Sequence, residues 1–203
     1  MKTSLKNLVA IALTAIVLST SVFTSVAAEN VKFFGMAAVN PEIKKVVVTG
    51  NVKVLLIQSN REWVSLEEDQ MEKVSIKQIG HTLTLSSTEK EPVMLTVYVS
   101  DPYRIDVSNN ACVRTIGTFN VKHLQVMVKD NAVAYVKAKT ESIYTVVNGN
   151  ADLELGGSTA NHIIKTDGIA KLKTENFAAL KTDNMSHETE VAMIVKPAPN
   201  SKK

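Results

Sequence analysis

A single cysteine, Cys112, stands among 203 residues, so no intramolecular disulfide forms and the fold rests on its core and its backbone ladders. Proline is absent between residues 103 and 196, so no strand in that stretch loses a ladder donor. Aromatic residues make up only 5% of the chain, against a wealth of Val, Ile, Leu, Thr and Ala. The core must therefore be assembled from many small β-formers and not from a few large rings. One-signed charge is also missing. The net charge of +3 falls to +1 once Lys2 and Lys6 are set aside, which gives no electrostatic footprint for nucleic acid. Catalytic signatures are lacking too: there is no G-x-S-x-G, phosphate-binding loop, H-E-x-x-H or dinucleotide fingerprint.

Long hydrophobic runs are equally scarce. The one that exists, Leu8 to Leu18, is interrupted only by Thr14 and is about half of the ~20 residues a membrane span needs. Lys2 and Lys6 precede it, and Val26-Ala27-Ala28 supplies small residues at a cleavage position. This pattern predicts a secretory signal over residues 1–28, cut after Ala28. Glu29 follows the cut, where a lipid-anchored protein needs cysteine. The expected product is exported, to the periplasm, the cell surface or the medium, with no membrane span in the mature chain. Its roughly 175 residues are enough for a sizeable core.

Residues 29–40 read as a lead-in, 41–195 as one β domain and 196–203 as a polar tail. KKVVVT and VKVLLIQS read as strands joined by Gly50-Asn51, and VSIKQI and TLTLSS as a hairpin over Gly80-His81. From residue 103 the pattern becomes periodic: IDVSNNACV, VMVKDNAVAYV, TVVNGNADLEL, IIKTDGIAKLK and ALKTDNMS succeed one another. The third turn residue of each is Asn110, Asn131, Asn150, Gly168 and Asn184, at intervals of 21, 19, 18 and 16. Asn and Gly best tolerate the left-handed conformation, so this column predicts the same backbone turn once per unit. A strand–turn–strand unit of this period is a solenoid signature. The expected fold is all-β, a β-solenoid or parallel β-helix-like single domain preceded by β-hairpin-like strands. Its rungs would stack ~4.8 Å apart, with Asn above Asn in a hydrogen-bonded ladder.

Alternation assigns the faces. Ala111, Val113 and Thr115, then Ala132, Ala134 and Val136, then Ala151, Leu153 and Leu155 point inward after the turns; Val107, Val128 and Val147 do so before them. Val133, Tyr135, Asp152 and Glu154 point outward. The fourth unit must slip, because Lys165 would otherwise enter the core.

A signal peptide, the VTGNVKVLLIQ opening, the HTLTLSS hairpin, MLTVYVSDPY and the repeated polar turns together resemble the auto-transporter adhesin, head GIN domain family over roughly residues 41–190. The resemblance implies a β-helix-like fold at the outer surface, in the periplasm or outside the cell, and brings no catalytic residues with it. The turns SNNA, KDNA and NGNA depart from the family's usual Ser-Gly-Ser-Gly.

Several clusters bear on chemistry. His81, His123, His162 and His187 lack metal-ligand spacing and read as surface residues. Glu67-Glu68-Asp69 with Glu72 lacks the spacing of a calcium loop. Cys112 reads as an unpaired thiol under a neighbouring rung. Asp152 and Glu154, about 7 Å apart at ~3.3 Å per residue, have a separation suited to glycoside hydrolysis. However, Lys171 and Lys173 on the next rung can pair with both. No catalytic, cofactor-binding or metal residues are assigned. The leading reading is a non-enzymatic surface-binding protein for a glycan or a cell-surface protein, with Arg114, Tyr135, Glu154 and Lys173 as an outward contact column. A β-helix polysaccharide hydrolase or lyase is the alternative. Amino-terminal sequencing of the exported protein is expected to begin at Glu29; Met1 retained in a membrane pellet refutes the leader.

Overall fold

The structure, a computed structural model, describes residues 31–35 and 42–185. The expected leader, residues 29–30 and 36–40 of the lead-in, residue 41, and residues 186–203 with His187 and the polar tail lie outside the described residues. The described residues are all-β apart from one 3-10 helix, Glu68–Lys73. In chain order the strands are β1 (Val31–Gly35), β2 (Lys45–Gly50), β3 (Val52–Gln58), β4 (Trp63–Glu67), β5 (Ser75–Ile79), β6 (Thr82–Ser87) and β7 (Val93–Val99). They continue as β8 (Arg104–Ser108), β9 (Cys112–Ile116), β10 (Phe119–Asn120), β11 (His123–Val128), β12 (Val133–Val147), β13 (Asp152–Thr166) and β14 (Lys171–Asn184). All belong to one curled mixed sheet that forms a half-barrel. The β1–β4, β4–β7 and β5–β6 ladders are antiparallel and the remaining ones are parallel.

Alternation along each strand becomes columns across the sheet because the ladders hold register. One buried column runs Leu83, Val46, Ile105, Val126, Thr145. Another runs Leu95, Val54, Val113, Ala134, Leu153. The inward residues assigned from alternation, Ala111 to Leu155, are all buried. Truncating a large member such as Leu56 or Leu153 to Ala is expected to cost ~2–5 kcal/mol, because its strand neighbours on both sides are fixed and cannot fill the void.

Two expectations need correction. Of the strands before residue 103, β5 and β6 form the hairpin, closing on Ile79 opposite Thr82. In contrast, β2 and β3 do not pair with each other: β2 lies between β6 and β8, and β3 between β7 and β9. Gly50-Asn51 is thus a corner between two parallel ladders. The turn column is also shifted by one residue. Positive φ falls on Asn109 (60°), Asp130 (65°), Gly149 (72°) and Gly168 (71°), not on Asn110, Asn131 and Asn150. Gly168 is therefore the equivalent of Gly149. That alignment removes the supposed slip: Lys165 lies outward opposite Val146, and Thr166 takes the core column opposite Val147. Asn184 is no turn residue either; it ends β14 opposite Ile164.

Asn side chains at and beside the turn positions bond along the stack. Asn150 Nδ2 donates to Asn131 Oδ1 at 3.4 Å, and Asn109 Nδ2 donates to Thr49 Oγ1 at 2.8 Å. At Gly149 a Cβ would stand 3.3 Å from the Asp130 carbonyl oxygen. Gly149→Val is expected to lower stability by ~1–3 kcal/mol, since a β-branched residue is strained at positive φ. Gly149→Asn should lose less, and Asn150→Val less still. Thermal melts of the three variants check this order; equal melting temperatures for Gly149→Val and Asn150→Val refute the turn assignment.

Candidate functional site

Two ladder irregularities coincide at one level of the outward face. The β9–β12 ladder stops at Arg114 opposite Tyr135. Beyond it the Lys137 N–H donates to the Thr115 hydroxyl at 2.8 Å, in place of a backbone carbonyl. On the other side, Glu154 faces Lys173 but Gly156 faces Asn176, so β14 carries one extra residue, a bulge. Bulges open a ladder and re-aim side chains. Between the two irregularities lies a groove of about 480 Å³, lined among others by Arg114, Tyr135, Lys137, Glu154, Gly156 and Asn176.

Gly157, just past the bulge level, packs tightly against β12. Its φ is +101°, and an added Cβ would lie 2.1 Å from the Ala138 carbonyl oxygen. Gly156 is under no such constraint: a Cβ there would make ordinary contacts, 3.5 Å to Lys137 Cγ. Its bare backbone leaves room in the groove and is not forced by conformation.

Arg114, Tyr135, Glu154 and Lys173 stand in one register column across β9, β12, β13 and β14. Within it the Arg114 guanidinium lies 3.9 Å from the centre of the Tyr135 ring, a cation–π contact. One ring face is therefore occupied by Arg114. Lys173 Nζ donates to Asp152 Oδ2 at 3.1 Å. That hydrogen bond, with the nearby Glu154 charge adding to it, raises the Lys173 pKa. Asp152 is thus half of an ion pair and does not stand as a lone acid beside Glu154. The ladder sets Lys171 directly opposite Asp152, yet the pair is made diagonally by Lys173.

The remaining sequence candidates are scattered. Cys112 is half-buried, and burial raises its thiol pKa against the opposing effect of Arg114 and Lys53, which makes it a poor nucleophile. Glu68 to Lys73 form the exposed 3-10 helix, where Lys73 approaches Asp69 at 3.8 Å. His81 Nδ1 lies 2.8 Å from the Glu42 carbonyl oxygen and His123 Nδ1 2.8 Å from Ser142 Oγ; both are exposed. His162 is not the surface residue that rung-end position suggested. It is 2% exposed, its Nε2 lies 3.0 Å from Thr145 Oγ1, and its ring meets Phe177 edge-on at 5.3 Å. Sequence reasoning missed Lys137 and Gly156, which follow Tyr135 and Glu154 on the outward face by simple alternation, and Asn176, which only the bulge in β14 sets opposite Gly156. The Gly156-Gly157 doublet inside a strand pattern was the available signal.

The curled sheet is shared with solved structures of bacterial proteins. It is similar to the crystal structure of a "putative adhesin" from Bacteroides fragilis, at 13% identity and TM-score 0.62, over 76% of this chain and 74% of that one. A "putative adhesin" from Parabacteroides merdae matches at 12% identity and TM-score 0.58, over 76% and 75%. A "putative lipid binding protein" from Parabacteroides distasonis matches at 9% identity and TM-score 0.58, over 77% and 78%. No curated protein matches the chain. The chain belongs to the family described as "Putative auto-transporter adhesin, head GIN domain", whose model matches residues 42–194. Among the described residues no helix is long and apolar enough to cross a membrane.

The buried histidine yields a pH dependence. Burial lowers the His162 pKa below its ordinary 6.5, so protonation favours the unfolded chain. The stability that neutral burial permits is fully present above pH 6.5 and is lost as pH falls from there through the lower folded value. Melting temperatures between pH 8 and pH 4 are expected to fall less steeply on acidification for His162→Gln than for the wild type. Parallel profiles refute the assignment.

Proposed function

We propose that this protein is an exported, non-enzymatic binding protein that engages a glycan or cell-surface protein through the outward column Arg114–Tyr135–Glu154–Lys173. The observation that carries this reading is the column itself, four long polar side chains held in register beside an open groove. A parallel ladder spaces such side chains regularly, which suits a ligand that is itself repetitive. The same ladders support the finer architecture of a short β-solenoid, whose rungs are the strand–turn–strand units of 19 to 21 residues between the positive-φ positions. Family membership supports an adhesin-like role at the surface. Against the hydrolase or lyase alternative, Asp152 is already engaged by Lys173 at 3.1 Å and does not stand as a free partner to Glu154.

The test is a glycan and surface-protein array probed with wild type and with a triple variant carrying Arg114→Ala, Tyr135→Ala and Lys173→Ala. Wild type is expected to be retained by at least one probe, with retention about tenfold weaker or less in the variant. No reducing ends or unsaturated products should be released from the glycans. Cleavage that disappears in an Asp152→Asn, Glu154→Gln double variant overturns the reading in favour of the enzyme. Equal retention of wild type and triple variant removes the column as the contact face.

A further inference from the structure

We propose that the groove beside Tyr135 takes a carboxylate-bearing sugar, a uronic-acid residue of an acidic polysaccharide. The proposal rests on the contact-face reading above and names the ligand class for it.

Several cations of the described residues are already engaged. Lys173 is held by Asp152, Lys44 by Glu42 and Asp101, and both Lys45 and Arg104 by Asp106. Arg114 and Lys137 face one groove, and among the described residues neither is paired with a carboxylate. Arg114 is also pre-set. Its Cζ lies 3.9 Å over the Tyr135 ring centre, so the guanidinium is held against the ring. A planar fork of this kind matches a carboxylate with two parallel hydrogen bonds, a geometry an ammonium cannot reproduce. The occupied ring face argues against Tyr135 as an open stacking platform for a neutral sugar on that side. Its part is to hold the guanidinium.

The rest of the lining discriminates among anions. Glu154 stands in the same groove; it disfavours any anionic group placed against it and accepts hydrogen bonds from hydroxyl groups, so it suits a ligand whose single charge lies at the Arg114 side and whose hydroxyls lie at the other. Asn176, brought there by the bulge, adds one donor group and one acceptor. Two cations for a carboxylate, and a carboxylate with an amide for hydroxyls, complement a uronate ring. A neutral sugar leaves both cations without a partner. The groove, at about 480 Å³, lies within the usual size of small-molecule sites.

Affinity electrophoresis of the whole protein through gels containing polygalacturonate, alginate or hyaluronate tests this. Methyl-esterified polygalacturonate, dextran and dextran sulfate serve as comparisons. At least one of the three polyuronates is expected to retard the wild type, and neither the ester nor dextran should do so. Arg114→Lys keeps the charge but loses the fork and should weaken retardation about tenfold. Gly156→Val fills the groove where the backbone tolerates a side chain; it should abolish retardation with an unchanged melting temperature. Failure of all three polyuronates overturns the proposal, as does equal retardation by the ester. Retardation by dextran sulfate that matches the polyuronates and is indifferent to Arg114→Lys also overturns it, as general attraction to polyanions. If the array still shows a probe that depends on the column while polyuronates fail, the contact face stands and the uronate assignment falls.

Discussion

The backbone ladder does not stop where the strands turn. Lys129 donates to the Val107 carbonyl, Asn131 to that of Asn109 and Val133 to that of Ala111, each at 3.0 Å. One unit later, Asn148 donates to Val128, Asn150 to Asp130 and Asp152 to Ala132, at 2.8 to 3.0 Å. Because hydrogen bonding continues around the corner, each unit must turn with nearly the same dihedral angles as the one beneath it. That requirement places Asn109, Asp130, Gly149 and Gly168 in a left-handed column. It also sets Ala111, Ala132 and Ala151 just inside the bend, where the strands converge and little volume remains. Core composition thus follows from the ladder: small residues at the corner, Val and Leu along the flats.

The site is the complement of the same rule. Along the outward face, register holds side chains in regular columns. Depth appears beside Tyr135, where one ladder ends and its neighbour bulges at the same level. The polar core members also gather toward the carboxyl-terminal units. Thr145 and His162 occupy positions filled by Val and Ile in the unit before, Thr159 stacks on Thr140, and each finds a hydrogen bond within the stack. Satisfied in this way, they cost far less than unpaired polar groups, although they leave this part of the core more sensitive to acid than the rest.

Much of this was legible in the sequence because its strongest signals are local. Alternation at Ala151-Asp152-Leu153-Glu154-Leu155 gives the faces directly, and the family resemblance rests on the same periodic turns. What failed was phase. Asn and Gly both tolerate positive φ, and NNA, DNA and NGN each offer adjacent candidates, so composition could not say which one turns. Choosing Asn150 over Gly149 then displaced Gly168 and forced an artificial slip at Lys165. Pairing partners failed for another reason: nothing local in KKVVVTGNVKVLLIQ says that its halves join separate ladders with strands far along the chain. The groove was hidden for a third reason, since an extra residue in β14 is visible only against the register of β13.

The position of β2 and β3 has a mechanical consequence. The first unit of the domain lies between its two successors: Val46 faces Leu83 on one side, 37 positions later, and Ile105 on the other, 59 positions later. Later units close over much shorter loops, Ile105 to Val126 and Val126 to Thr145. The costliest closures thus fall on the interior unit, and each later addition is cheaper. Under load the order reverses. Tension on β14 can shed one ladder at a time, whereas extracting β2 must break two ladders at once, so resistance to pulling rises from the carboxyl-terminal edge toward the buried first unit.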